Sequence, residues 1–408
     1  MTPEVKERIE QIRHGIVPEG YKKTATGISP NSWNEVRLSE VVDFLDDRRI
    51  PIKENDRVSG NYPYYGASGI IDHVADYIFD GEYILLGEDG ANILERSTPL
   101  AFRVSGKCWI NNHAHVLSPK AEYHIDYLTN YLESLSYVKY NSGTAQPKLN
   151  QDTCQKIPVV CGSYAEQAQT ADILTTQDTV IHLKEKLLSE KQRQKKYLMQ
   201  QLLSGKKRLL GYNQKWTKTR LGAISSMSSG GTPLSQISDY YGDRYVWVSI
   251  SDMSASGKYI VSSEKKLTQK GFDNCSAKLY PIGTILFAMY ASIGACAISN
   301  VECCSSQAIL GIEVSEQVLN EFLYYFLLNG RDEFKKLSQA SSQPNLNKKI
   351  VESIAINLPP LDEQERIVDI LSKMDQNCDL LIRDIEQEKQ KKKALMQLLL
   401  TGIVRVNA

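Results

Sequence analysis

Between Leu358 and Leu399 the apolar residues fall at Ile367, Leu371, Met374, Cys378, Leu381 and Ile385, then at Leu395 and Leu399, in steps of four and three. Only Glu388 and Lys392 interrupt the stripe. That spacing lays one apolar seam along a long helix and predicts a single partner helix against it. Pro359 and Pro360 cannot continue a helix backwards. Asp362 is placed to cap it, and Glu365 three residues on completes a capping-box pattern.

The partner lies in the same chain. At an offset of 197 (146 against 343), Gln146-Pro147-Lys148-Leu149-Asn150 aligns with Gln343-Pro344-Asn345-Leu346-Asn347. The register then carries Glu166-Gln167 onto Glu363-Gln364, Lys195-Lys196 onto Lys392-Lys393 and Leu198-Met199-Gln200 onto Leu395-Met396-Gln397. The copies end at Leu203-Ser204-Gly205 and Leu400-Thr401-Gly402, each with a glycine placed to cap a helix C-terminus. We expect antiparallel helices from Ala165 to Leu203 and from Asp362 to Leu400. Leu174, Ile181, Leu188, Leu198 and Leu202 should face the seam, and each helix should run about 60 Å at 1.5 Å per residue. A period near 190 is too long for a solenoid unit, so the chain is a duplicated domain-plus-helix.

Ahead of each helix the pattern changes. A W-x-x-x-R-L segment opens at Trp33 and again at Trp216. Short apolar runs follow, such as Tyr77-Ile78-Phe79 before Asp80-Gly81, and Tyr83-Ile84-Leu85-Leu86 before Gly87-Glu88-Asp89-Gly90. They predict a twisted sheet of short strands, with helix near Tyr127 to Tyr137. In the second half Gly283-Thr284-Ile285-Leu286-Phe287 answers Gly81-Glu82-Tyr83-Ile84-Leu85. Ser306-Gln307-Ala308 answers Asn112-His113-Ala114, and Phe322 to Phe326 answers Leu128 to Leu132. Outside these anchors the halves differ, as two readers of different ligands would. The N-terminal stretch has a short helical pattern (Val5, Ile9, Ile12), and QIRHGIVPEGY echoes QQLLSGKKRLLGY at the end of the first long helix. The echo predicts that this arm closes the repeat into a pseudo-cyclic arrangement.

Composition adds little to this picture. At 408 residues, with 42% hydrophobic and 24% charged, the chain is long enough for two or three soluble domains. With no uninterrupted apolar run of membrane-spanning length and no apolar signal segment at the start, a cytoplasmic location is expected. The eight cysteines form no CxxC pair, which points to reduced, mostly buried thiols. Formal charge balances at 48 basic and 48 acidic residues. The basic residues nevertheless gather: Lys184, Lys186, Lys191, Arg193, Lys195, Lys196, Lys206, Lys207 and Arg208 in the first copy, and Lys389, Lys391, Lys392 and Lys393 in the second. They can complement helix C-terminal dipoles or contact phosphates.

Catalytic signatures are missing. There is no phosphate-cradling G-x-x-x-x-G-K-[ST], and Pro359-Pro360 follows Leu358 instead of the Asn or Asp of an amino-methyltransferase motif. His113-Ala114-His115 could set two imidazoles on one strand face as metal ligands, but Gln307 and Ile309 occupy the matching positions of the second half, so no metal site is assigned.

Taken together, the two W-x-x-x-R-L openings, the Ser228-Ser229-Gly230-Gly231-Thr232-Pro233 turn, the repeated Q-P-x-L-N and the helix start Leu358-Pro359-Pro360-Leu361-Asp362-Glu363-Gln364 resemble the specificity (S) subunit of type I restriction-modification enzymes. The first copy departs from the helix-start motif, with Val160 to Gln167 lacking both prolines. The resemblance implies an α/β (α+β) fold: two target recognition domains with distorted β-sheets, separated by two long antiparallel spacer helices. The expected organisation is an N-terminal arm (1–30), a first recognition domain (31–160), a central spacer helix (161–210), a second recognition domain (211–357) and a C-terminal spacer helix (358–408). It also implies a non-catalytic subunit that binds double-stranded DNA. Two methylation subunits, which bind S-adenosylmethionine and methylate adenine, would dock around the helices, two restriction subunits would join the full complex, and no cofactor would be bound directly.

Glycines let backbone approach a groove, and amides and hydroxyls can donate and accept at base edges. On that ground the expected DNA-reading residues are Tyr64, Tyr65, Ser68, Glu88, Asp89, Asn111, Asn112 and His113 in the first domain. In the second they are Ser229, Gly230, Gly231, Thr232, Tyr290, Ser305, Ser306 and Gln307. The competing expectation is a coiled-coil adaptor whose two domains bind protein. It leaves loops rich in Asn, Gln, Ser, Tyr and Lys without a purpose.

Overall fold

A computed structural model describes residues 2–339 and 345–406. Gln343 and Pro344 of the second Q-P-x-L-N lie outside the described residues. The chain divides into two compact units. One is built from everything up to Glu185 together with the stretch from Arg383 onward, the other from Lys186 to Ile382.

In the first unit the sheet strands are β1 (Val42–Phe44), β2 (Ser59–Gly66), β3 (Gly69–Val74), β4 (Phe79–Gly87), β5 (Ala101–Ile110) and β6 (Ala114–Pro119), in the order β1-β6-β4-β5-β2-β3. All neighbours are antiparallel except β2 and β5, which pair in parallel through Tyr64 with Trp109 and Tyr65 with Ile110. The β2–β3 hairpin carries two register shifts, so the sheet is distorted there. Strand β4 is central and covered on both faces, which is why Tyr83 to Leu86 reads as an unbroken apolar run. Ile84 and Leu86 face helix α1 (Ile125–Ser134), with Tyr127, Leu128 and Leu132 in the same core. Tyr83 and Leu85 face Phe79, Val104, Cys108 and Val116 on the other side.

The second unit repeats the frame. Its strands include β7 (Ser225–Ser229), β8 (Tyr245–Val248), β9 (Tyr259–Ile260), β10 (Ile285–Ala288), β11 (Cys296–Ser299), β12 (Cys303–Ser305) and β13 (Ile309–Val314). The main sheet runs β7-β13-β10-β11-β9. Its first four strands thus stand in the order of β1-β6-β4-β5, and the central β10 is again wholly buried, with Phe322, Leu323 and Tyr325 of helix α3 (Asn320–Asn329) in its core. The additions differ. Where the first unit adds the β2–β3 hairpin, the second adds β9 and a separate four-stranded sheet containing β8 and β12. In both units an antiparallel pair zips the chain together where it enters and leaves the domain: Asn34–Arg37 with Pro158–Cys161, and Thr217–Arg220 with Ala355–Leu358.

The two seams fold as α2 (Tyr164–Leu202) and α4 (Leu361–Leu399), each a continuous 39 residues or about 58 Å. In the first unit Asp178 meets Lys392 at 2.7 Å, Lys184 meets Asp384 at 3.0 Å and Glu185 meets Lys389 at 2.7 Å. In the second, Lys195 pairs with Asp375, while Met199 and Leu202 further along share a core with Leu371 and Ile367. Numbers rising on α2 meet numbers falling on α4, so the helices are antiparallel in each unit, as the spacing predicts. The pairs Asp178–Lys392 and Asp375–Lys195 are themselves related by 197. Along the seam Leu174, Ile181, Leu202, Ile367, Leu371, Cys378, Ile385 and Leu399 are buried. Leu188 and Leu198 are half-buried.

The expected cap of α4 is corrected. The helix begins at Leu361, and the Pro360 carbonyl accepts from Gln364 N at 3.0 Å, so Asp362 sits in the first turn, where its charge favours the dipole. The buried acid is Glu363, which takes Arg208 at 2.7 Å; Glu365 is exposed. The first copy does use a capping box, Glu166 N donating to Ser163 Oγ at 3.3 Å and Ser163 N to Glu166 Oε2 at 3.4 Å.

Closure of the repeat is visible within the first unit. Arg8 donates to the Ile403 carbonyl at 2.8 Å and Tyr21 to that of Gly402 at 2.9 Å, while Arg405 donates to Glu166 at 2.6 Å. Arg405–Glu166 and Arg208–Glu363 are again 197 apart, so one anchoring ion pair serves both repeats. Among the described residues no helix is long and apolar enough to cross a membrane. All eight cysteines are free and seven are buried.

Candidate nucleic-acid interface

The three loops singled out in the first domain meet at one edge of its sheet, where β2, β4 and β5 end and β6 begins. Glu88 N donates to the His113 carbonyl at 2.8 Å, and Asn111 N to that of Tyr65 at 3.1 Å. A Cβ on Gly87 would lie 2.9 Å from the Ala67 carbonyl oxygen, so the hairpin turn rests directly on the end of β4. The His113 ring meets Asp89 at 2.8 Å. Ser68, Asn112 and His113 are exposed, and Tyr65, Glu88 and Asp89 are half-buried. Tyr64 and Asn111 are not at the surface. Tyr64 is 1% exposed, its hydroxyl accepting from Ile52 N at 2.9 Å, and Asn111 is 4% exposed, its amide oxygen accepting from His113 N at 2.8 Å. Both side chains are spent holding loops, which corrects the expectation that they present polar groups outward.

The second domain brings its residues to the corresponding edge. Gly230 N donates to the Ile309 carbonyl at 3.1 Å, Gly231 N to that of Ser305 at 2.9 Å, and Gln307 N reaches Thr232 Oγ1 at 3.5 Å. Met289 N donates to the Ala308 carbonyl at 2.9 Å, which sets Tyr290 beside the same turn. Both glycines are required by space. A Cβ on Gly230 would fall 2.2 Å from the Ser305 carbonyl oxygen, and one on Gly231 2.3 Å from Ala277 N. Ser229, Thr232, Tyr290 and Gln307 are exposed and Ser306 is half-buried. Gly230, Gly231 and Ser305 are buried, so they shape the turn and offer no outward side chain. Ala291, next to Tyr290, has φ +52°, a left-handed conformation that costs a non-glycine residue about 1 kcal/mol or more.

The Q-P-x-L-N leucine performs the same task in both domains. Leu149 N donates to the Glu88 carbonyl at 2.7 Å and Leu346 N to that of Met289 at 3.1 Å, pinning the loop after each central strand.

A group of charged side chains lies behind the first edge. His115 on β6 is 1% exposed, whereas His113 is exposed, and it meets Asp46 at 2.6 Å. Arg49 donates to Glu88 at 2.8 Å and to the Ala114 carbonyl at 2.7 Å, and Lys148 lies 3.4 Å from Glu88. The oxygens of Asp46 and Glu88 and a His115 nitrogen lie within 4.8 Å of one another, close enough to suggest a metal. The donor set argues otherwise: Arg49 and Lys148 already neutralise the carboxylates, and both His115 nitrogens face oxygen acceptors. No local motif announces this cluster, because its members stand at 46, 49, 88, 115 and 148. The basic residues of the helices are partly consumed too. Lys184, Lys195, Lys389 and Lys392 are paired across the seam, whereas Lys206 and Lys207 are exposed at the end of α2.

Comparison with known proteins fits this architecture. Residues 30–191 and 213–390 each match the family model described as the type I restriction modification DNA specificity domain. The chain is 29% identical to a Haemophilus influenzae protein assigned as a type I restriction enzyme specificity subunit, S.HindORF215P, covering 83% of this chain and 86% of that one. It is 24% identical to the MjaVIII specificity subunit of Methanocaldococcus jannaschii, over 92% and 94% of the two chains. The crystal structure of a type I system S subunit from M. genitalium shares the fold with a TM-score of 0.58 at 12% identity, over 90% of this chain and 96% of that one. With two matching domains, each on the same strand frame and followed by the same helix, the chain belongs to the specificity subunits of type I restriction-modification systems, the non-catalytic component of those enzymes.

Proposed function

We propose that each domain reads one half of an asymmetric, bipartite duplex site through the loop edge described above. The observation that carries this reading is the contrast between frame and edge: four strands stand in the same order in both domains, yet the loops at their ends share almost no side chains. The outward groups are Ser68, Asp89, Asn112 and His113 in one domain and Ser229, Thr232, Tyr290 and Gln307 in the other. They are donors and acceptors suited to base edges and phosphates. Substituting Asn112 with Ala should lower discrimination at the first half-site alone, and Gln307→Ala at the second alone, by about tenfold for a lost base contact. Titration of target and random DNA measures this. An unchanged ratio removes that residue from the interface.

The helices supply the docking surface in the same reading. Leu183 and Leu380, 197 apart, are 57% and 60% exposed on α2 and α4. A large apolar side chain left open at the same place in both repeats suits two copies of one partner. We assign that partner as the methylation subunit, which holds S-adenosylmethionine and methylates adenine, with restriction subunits joining the larger assembly. The mass of the saturated complex should show two methylation subunits per chain, and L183D should retain one. A one-to-one ratio with the unaltered chain would contradict the assignment.

A further inference from the structure

We propose that His115 is a positioning residue for the first half-site, held as a buried imidazolium that ties three separate segments to the recognition edge. The inference rests on the DNA-reading function proposed above. Its Nδ1 lies 2.6 Å from Asp46 Oδ2 and its Nε2 2.8 Å from the Leu149 carbonyl oxygen. A carboxylate and a carbonyl only accept, so both ring nitrogens donate and the ring carries a proton on each. Asp46 Oδ1 also accepts from Val116 N at 2.9 Å, and Arg49 lies 3.4 Å from the same carboxylate before reaching Glu88. One cation thus joins the segment after β1, the start of β6 and the Q-P-x-L-N leucine whose own N–H pins Glu88.

The charged groups against the ring are Asp46 and Glu88, with Arg49 and Lys148 held on those two carboxylates and the Cys154 sulfur close by. Burial works against the charge, but the hydrogen bond to Asp46, helped by the nearby Cys154 sulfur, outweighs it, and the ring's pKa rises from 6.5 to about 10. A raised folded-state value means the stabilisation is fully present below the ordinary pKa and is lost as pH climbs through about 10. In the second domain, aligning Ala308 with Ala114 puts Ile309, wholly buried, at this position. The second half-site therefore serves as an internal control.

Two measurements test the proposal. In the full-length 15N-labelled chain, the ring signals that vanish in H115Q should show both nitrogens protonated at about pH 8.5, two units above an ordinary histidine. A midpoint near the ordinary value would overturn it. In the complex with its methylation partner, H115Q and D46N should each lower discrimination at the first half-site by about tenfold and leave the second unchanged, with the double variant losing less than the two effects combined. Equal losses at both half-sites, no loss at either, or additive losses would overturn it. Absence of any discrimination in the unaltered complex would instead refute the DNA-reading function while leaving the nitrogen signals to stand.

Discussion

The loop edges of the two domains depend on individual residues that turn backbone into shape. Gly230 and Gly231 let β7 run on against the β12–β13 turn, and no side chain fits at either position. We expect Gly231→Ala to push the turn from Ala277 at a cost of about 1–3 kcal/mol, typical of overpacking, and to weaken reading of the second half-site while sparing the first. Melting temperature and half-site discrimination together check this. Equal loss at both halves would contradict it. Polarity alone marked the neighbourhood of each edge but could not separate a reader from a turn-former. Asn111 and Asn112 are identical in sequence terms, yet one is buried and bonds the His113 backbone while the other is exposed. His115 was equally opaque, because a buried cation is legible only through partners that stand far away in the chain.

At the scale of elements, the helices were legible nearly to the residue because a four-and-three spacing is local information. The sheets were legible as short strands, but their order was not, since pairing joins residues tens of positions apart. Even the breaks in the seam have a physical account. Glu388 accepts from Gln177 at 2.7 Å and from Lys184 at 2.9 Å, and these bonds hold its carboxyl down at about 2, against an ordinary 4.5. A depressed folded-state value contributes stability above the ordinary pKa and loses it as pH falls toward 2. E388Q should therefore melt below the parent at neutral pH, with the difference shrinking as the solution is acidified from about pH 4.5 towards the depressed value. A difference constant across that range would mean that the charge of Glu388 has no part in joining the helices.

For the whole molecule, duplication explains most of what the chain contains. The offset of 197 relates helices, glycine caps, seam ion pairs and the Arg–Glu anchors, so a single set of contacts is used twice. The loop edges escape that repetition. If they read DNA, two unlike edges on one frame require two unlike half-sites, each short and separated by bases that neither domain touches. Methylation mapping across the genome of a host that carries this chain with its methylation subunit tests this most directly. One bipartite, non-palindromic motif with a fixed unread gap is expected; a continuous motif, a palindromic one or methylation without sequence preference would contradict two unlike edges on one frame.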